Sequence, residues 1–162
     1  MNQPSEYEQY LDRVVTDSFA LTFNVDVQGV PESSSIPKPR VRPFEEGSIV
    51  HILGDWNGSI VFESSNALLR GLSGKIYEMD ADEVSADQCS DLLREIVNLL
   101  GGNLKTVLGK RCILSTPKTL KEVGSEPGIK EGVLLAYRTY LIGQETLAVR
   151  LVKNELVIPV ED

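Results

Sequence analysis

Two side chains have the types and the spacing to act together on a reacting group: Glu95 and Asn98. Residues three apart in a helix lie side by side on one face, so a carboxylate and a primary amide would be neighbours there. The amide can orient one water molecule for attack, and the carboxylate can pair with a lysine. The pair lacks a nucleophile, a metal and a low-dielectric pocket. It could therefore complete an active site that a partner brings; the other interpretation is an ordinary solvated face.

The remaining residues capable of chemistry are few, and their sequence surroundings favour structural roles. Cys89 and Cys112 both fall among apolar residues, which predicts buried thiols rather than ligands or nucleophiles. His51, the single histidine, alternates within a strand-like run and has no second histidine or cysteine nearby to share a metal ion. The sequence contains no glycine-rich phosphate loop and no dinucleotide fingerprint.

The helix that would carry Glu95 and Asn98 is the strongest in the sequence and runs from Ser85 to Leu108. Ser85 and Gln88 have the spacing of a capping box at its start. At about 100° per residue, the apolar residues fill one broad face that we expect to be buried. They are Cys89, Leu92, Leu93, Ile96, Val97, Leu99, Leu100, Leu104, Val107 and Leu108. The polar strip that remains comprises Asp91, Arg94, Glu95, Asn98, Gly102 and Lys105.

Length and charge narrow the class of protein. The 162 residues suit one domain with a buried core. The net charge of −8, with no basic cluster outside Lys38–Arg42, argues against nucleic acid as the main partner. No apolar run approaches the roughly 18–20 residues of a membrane span, and the N-terminus lacks a signal-peptide pattern, so we expect a cytoplasmic protein without a membrane partner.

The other predicted elements surround this helix. They are a helix at 6–19, a strand at 21–27, a Pro- and Ser-rich loop at 28–46, a hairpin of strands 48–53 and 59–63, a short helix at 67–72, a strand at 111–115, a loop at 118–131, strands at 133–142 and 146–152, and an edge segment at 156–160. Hairpin-connected strands imply an antiparallel sheet. We therefore expect a single α+β domain over residues 1–162, with the long amphipathic helix and the N-terminal helix packed on one face of the sheet.

The segment Asp91–Gly102 resembles the signature helix of the CheC/CheX/FliY phosphatases of bacterial chemotaxis, which is Glu-x-x-Asn followed four residues later by glycine. Gly58–Phe62 is similar to the family's glycine-then-strand segment, and the helix at 67–72 falls where the family has a short helix. Leu114–Pro117, with Gly124 further on, resembles its strand that ends in proline. In order and spacing, the similarity covers roughly residues 48–152.

The number of signature helices relates the chain to CheX rather than CheC. CheC proteins carry two Glu-x-x-Asn helices and CheX proteins carry one, and the predicted N-terminal helix contains no such motif. A second match in letters, Glu63–Asn66, spans a strand end and a helix start, so its two side chains would not share a face. We treat that match as chance.

The resemblance implies a CheX-like phosphatase that dephosphorylates the aspartyl phosphate of a response-regulator receiver of the CheY type. By this resemblance, Asn98 positions the attacking water and Glu95 pairs with a receiver lysine. The neighbouring positions on the strip, Asp91, Arg94, Gly102 and Lys105, are expected to contact the partner. The receiver would hold Mg²⁺, so the chain would need no cofactor of its own. Family members of the CheX kind form homodimers through their sheets, so a homodimer is expected.

Two other interpretations stay open from the sequence. One is a non-catalytic interaction module that binds a receiver domain or a flagellar or chemotaxis component. The other is an unrelated α+β ligand-binding domain. The intact pair of Glu95 and Asn98 favours the phosphatase over the interaction module, and the loop at 28–46 is not part of the family pattern.

Overall fold

A computed structural model describes residues 5–30, 44–124 and 132–154, which form an antiparallel sheet with its long helices on one face. The helices are α1 (Glu6–Phe23), α2 (Asn66–Tyr77), α3 (Ala86–Leu108) and the short α4 (Leu120–Val123), with a 3-10 turn at Ala81–Glu83. The strands are β1 (Gln28–Gly29), β2 (Glu46–Gly54), β3 (Gly58–Ser64), β4 (Cys112–Leu114), β5 (Lys118–Thr119), β6 (Val133–Ile142) and β7 (Glu145–Lys153). The predicted α+β class is confirmed.

The strand order within the described ranges is β1-β6-β7-β3-β2-β4, and β5 also pairs with β2. The two predicted hairpins, β2–β3 and β6–β7, are both present and antiparallel. The side chain of Asn57 closes the first turn, because it accepts from the Gly54 N–H at 3.1 Å and donates to the Gly54 carbonyl at 3.0 Å. This side-chain bridge is the local reason why the chain reverses there.

Helices α1 and α3 bury their apolar faces against the inner face of the sheet. Val50 of β2 and Phe62 of β3 belong to the same core cluster as Phe19 of α1 and Leu100 of α3. Helix α3 begins with the predicted capping box, since Ser85 accepts from the Gln88 N–H and the Gln88 side chain accepts from the Ser85 N–H. The expected placement of both helices on one face of the sheet is confirmed.

A polar contact fixes α1 over β6. The Asp12 carboxylate accepts from Arg138 Nη2 at 2.8 Å and from the Tyr140 hydroxyl at 2.7 Å. Burial, together with the hydrogen bond to Asp12, raises the pKa of Tyr140, so this phenol remains a neutral donor. The hydrogen bond from Arg138 to Asp12 likewise raises the pKa of Arg138.

The predicted strand at 21–27 is wrong. Residues 21–23 are the last turn of α1, which ends where Asn24 adopts a left-handed conformation (φ 54°) and donates its N–H to the Phe19 carbonyl. The apolar pair Leu21 and Phe23 fits an alternating strand, but Phe23 also lies four residues after Phe19 on the buried helix face. Leu21 itself is 86% exposed.

Two further bounds differ from expectation. Helix α2, predicted over 67–72, continues to Tyr77. Gly74 lies buried inside this helix, and a Cβ there would lie 2.7 Å from the Met79 carbonyl oxygen. In the loop expected at 28–46, residues 28–29 pair with β6 as β1 and Glu46 begins β2; the basic cluster at 38–42 lies outside the described residues.

The predicted loop at 118–131 begins with regular structure. Residues 118–119 pair with β2 as β5, and residues 120–123 form α4. The signal that would have found it is Thr119 with Glu122, a second capping box. The remainder of that segment, and the edge segment expected at 156–160, fall outside the described residues.

We expect Leu100→Ala to lower the free energy of unfolding by about 2–5 kcal/mol, because Leu100 is fully buried on the inner face of α3 and its loss leaves a cavity. Asn98→Ala, two residues earlier and exposed, should change it by less than about 0.5 kcal/mol. Urea denaturation of both variants measures the difference. A large destabilisation by Asn98→Ala would mean that Asn98 is a structural residue.

Candidate functional site

Glu95 and Asn98 are both exposed on the outer face of α3. Within the described residues, neither side chain makes a hydrogen bond or an ion pair with its own domain. Leu92 and Ile96, on the opposite side of the helix, are buried as predicted. Leu99, which the periodicity predicts to be buried, is only half-buried, because it lies at the border between the two faces. The carboxylate and the amide therefore stand together and point away from the domain.

The two adjacent glycines of α3 have opposite surroundings. A Cβ on Gly101 would lie 2.8 Å from Val50 Cγ1, so the absence of a side chain lets α3 approach β2 closely. A Cβ on Gly102 would meet no heavy atom within 4 Å outside its own stretch of helix. Glycine inside a helix is less stable than alanine by about 0.5–1 kcal/mol. Nothing in the described domain requires Gly102 to be glycine, and it lies one turn beyond Asn98.

Arg94 is engaged by its own domain. Its Nη1 donates to Asp91 at 3.0 Å, and its Nε and Nη2 both reach the Glu122 carboxylate on α4. Glu122 also accepts from the Thr119 N–H at 2.9 Å. The Arg94 hydrogen bond, followed by the one from Thr119, lowers the pKa of Glu122, and the same pair raises the pKa of Arg94. Sequence reasoning missed this contact, which spans 28 residues of chain and joins α4 to the polar strip.

Asp91 and Lys105, which are also expected to contact the partner, differ in exposure. The Asp91 side chain is 69% exposed although it pairs with Arg94. Lys105 is half-buried, and its backbone carbonyl accepts from the Gly109 N–H at the end of the helix. Asp87, Asp91 and Glu95 follow one another at four-residue spacing and are all exposed, so the strip carries an acidic ridge beside Asn98.

The second Glu-x-x-Asn match does not form a site. Glu63 lies on β3 and pairs with Arg150 at 2.8 Å. Asn66 begins α2, where its amide donates to Glu46 and accepts from Arg70. Both side chains are used by the fold, and each has different neighbours, as expected for a chance match.

The cysteines and the histidine occupy structural positions. Cys89 and Cys112 are buried free thiols, and Cys112 Sγ lies 3.5 Å from the Trp56 carbonyl oxygen. His51 Nδ1 lies 2.6 Å from the Ser59 hydroxyl. In the ranges that the structure describes, no group of three His, Cys, Asp or Glu side chains is placed to hold a metal ion. Among the described helices, none has the length and apolar character to cross a membrane.

Replacing Gly101 and Gly102 by alanine should change the free energy of unfolding in opposite directions. Gly102→Ala should raise the free energy of unfolding by about 0.5–1 kcal/mol, because the new methyl group meets nothing. Gly101→Ala should lower it by about 1–2 kcal/mol, since overpacking against Val50 outweighs the gain in helix propensity. Chemical denaturation checks both. A destabilised Gly102→Ala would contradict the assignment of Gly102 to an open surface, and a stabilised Gly101→Ala would contradict its close packing against Val50.

Comparisons with known proteins show which folds and which family the chain resembles. Structures with the same fold include CheX from Vibrio vulnificus (TM-score 0.69, 14% identity, covering 94% of this chain and 99% of that one). Two others are the CheX–CheY complex with BeF3 and Mg²⁺ from Borrelia burgdorferi (TM-score 0.65, 15% identity, 93% and 99% covered) and the FliM–SpeE complex from H. pylori (TM-score 0.58, 12% identity, 94% and 90% covered).

No curated protein sequence matches the chain. A family sequence model described as chemotaxis phosphatase CheX matches residues 47–131, which is 85 of the 162 residues and includes nearly all of β2, all of α3 and the whole polar strip. The chain belongs to the CheX family.

Proposed function

We propose that this protein is a phosphatase for the aspartyl phosphate of a CheY-type response-regulator receiver. The observation that carries the proposal is the state of Glu95 and Asn98: adjacent, exposed, and without hydrogen-bond or ion-pair partners within the described domain. Membership of the CheX family and a CheX–CheY complex among structures of the same fold support a receiver as the partner.

In this proposal the reaction is divided between two proteins. The receiver supplies the phosphoaspartate and Mg²⁺, and the present chain supplies no cofactor and no covalent intermediate. Asn98 uses its amide to hold one water in line with the phosphorus atom, and the barrier falls through positioning. Glu95 accepts a charge-assisted hydrogen bond from a receiver lysine and draws it away from the phosphate.

The surface around the pair suits such docking. Gly102 presents bare backbone one turn beyond Asn98, so the receiver can lie close to α3. The ridge of Asp87, Asp91 and Glu95 is negative, which favours approach by a receiver face that carries lysine. The family resemblance also predicts a homodimer, and light scattering measures the oligomeric state directly.

The roles of the two residues predict different kinetic defects. Asn98→Ala should lower the maximal rate of phosphate release by about 10²-fold with little change in receiver affinity, because its contact with the water matters chiefly in the transition state. Glu95→Gln should weaken receiver binding as well as the rate, since one partner of a charged pair is lost. The measurement is phosphate release from a panel of phosphorylated receivers against receiver concentration, with Glu78→Gln, an exposed carboxylate at the end of α2, as the matched control.

Gly102 is tested in the same assay against a second glycine that lies within a helix. Gly71 of α2 is exposed, and a Cβ there would also meet no heavy atom within 4 Å. Gly102→Ala should weaken receiver binding several-fold, because a methyl group intrudes where the partner backbone lies, whereas Gly71→Ala should not. Equal behaviour of the two variants would remove Gly102 from the interface.

The alternative of a non-catalytic interaction module makes a different prediction. The fold is shared with a chain of the H. pylori FliM–SpeE complex, so likeness of fold extends beyond proteins described as phosphatases. Wild-type protein that binds a phosphorylated receiver but leaves its phosphate lifetime unchanged would establish the module and reject the phosphatase.

A further inference from the structure

Among the described residues, polar contacts hold helix α3 on three of the sides that face the domain. On the sheet side, the Ser48 hydroxyl of β2 donates to the Leu93 carbonyl at 2.7 Å. On the α1 side, the Asn103 amide donates to the Ser18 hydroxyl at 2.7 Å. On the α4 side, Arg94 binds Glu122. At about 100° per residue, position 94 points about 100° to one side of position 93 and position 103 points about 80° to the other side, which leaves the strip of Glu95 and Asn98 as the open side.

The apolar face alone does not define the rotation of α3 about its own axis. Hydrophobic burial is non-directional, and the buried side chains of α3 span about half of its circumference. Close packing, including that of Gly101 against Val50, limits the rotation to small angles, and over those angles the buried apolar area changes little. Hydrogen bonds, in contrast, depend on distance and angle and resist that rotation.

The magnitudes show why the rotation matters for the proposed reaction. Side-chain tips lie about 5–6 Å from a helix axis, so a rotation of about 10° moves the Asn98 amide by about 1 Å. A displacement of that size can reduce the rate of a positioned reaction by about 10²-fold. Burial of the apolar face would hardly change over the same angle.

We propose that Ser48, Ser18 with Asn103, and Arg94 with Glu122 are positioning residues that set the rotation of α3 and thereby aim Asn98; this inference rests on the proposed function. Ser48 and Ser18 are the decisive members, because they are 0% and 1% exposed and cannot touch a partner. Any effect of these two serines on the reaction is therefore indirect, and the atoms that their hydroxyls contact belong to α3.

The test uses three serine-to-alanine variants of the full chain. Ser48→Ala and Ser18→Ala each remove one contact to α3. Ser73→Ala is the matched control, since Ser73 is also 0% exposed and its hydroxyl has no hydrogen-bond partner among the described residues. Each variant is assayed for its maximal rate of phosphate release and for its affinity for a receiver activated by beryllofluoride, which is not hydrolysed.

We expect Ser48→Ala and Ser18→Ala each to lower the maximal rate about tenfold, with the affinity changed less than about twofold, and the double variant to approach the rate of Asn98→Ala. Ser73→Ala should match the wild type. Wild-type rates in both single variants, or equal losses of rate and affinity, would overturn the proposal. So would an equal loss in Ser73→Ala. The two serines lie on different elements, so one that fails to fold leaves the other informative.

A measurement without phosphatase activity separates this inference from the proposed function. Residual dipolar couplings of the α3 amides report the rotation of the helix directly by NMR. The couplings should show a rotation of about 10° in the Ser48→Ala and Ser18→Ala variants and none in Ser73→Ala. Unchanged couplings would overturn the inference even if the wild type is a phosphatase. Changed couplings in a protein that hydrolyses no phospho-receiver would reject the phosphatase while supporting the positioning residues.

Discussion

The close contact between α3 and strand β2 is the constraint on which the rest of the structure depends. Gly101 allows it, because a side chain there would collide with Val50 of β2. With the helix this low, Leu93, Leu100 and Leu104 are at most 2% exposed, and α1 packs beside α3 on the same core. The outer strip consists of the residues that do not pack against the sheet or the neighbouring helices. Glu95 and Asn98 are exposed because they lie on this side of α3.

How much of this structure the sequence predicts depends on whether the cause is local. The bounds of helix α3 and the direction of its buried face are predictable, since its capping box and its broad apolar face lie within the segment itself. The exposure of Glu95 and Asn98 follows from the same periodicity. The end of α1 is not predictable in this way, because Leu21 and Phe23 fit both a strand and a helix period. Only the packing of Phe23 beside Phe19 decides between them.

The parts that sequence reasoning missed depend on contacts between distant segments. Strand β5 exists because the edge of β2 offers it hydrogen bonds at Ser48 and Ile49. The link from Arg94 to Glu122 requires α4 to lie beside α3. Leu99 is half-buried rather than buried because the width of the covered face is set by where the neighbouring elements stop, and no periodicity contains that information.

In α3, the residues that stabilise the domain and the residues proposed to act on a partner lie on opposite faces of the helix. Stability comes from the inner face of α3, so the outer strip can carry features that are unfavourable in isolation: a bare glycine, a polar pair without partners in the described domain, and like charges at four-residue spacing. A partner that neutralises the charges and fills the space above Gly102 would relieve each of them. Orientation links the two faces, because the apolar core holds the helix on the sheet while the directional contacts decide where its outer side points. A variant of this domain can therefore be as stable as the wild type and still present Asn98 in the wrong place.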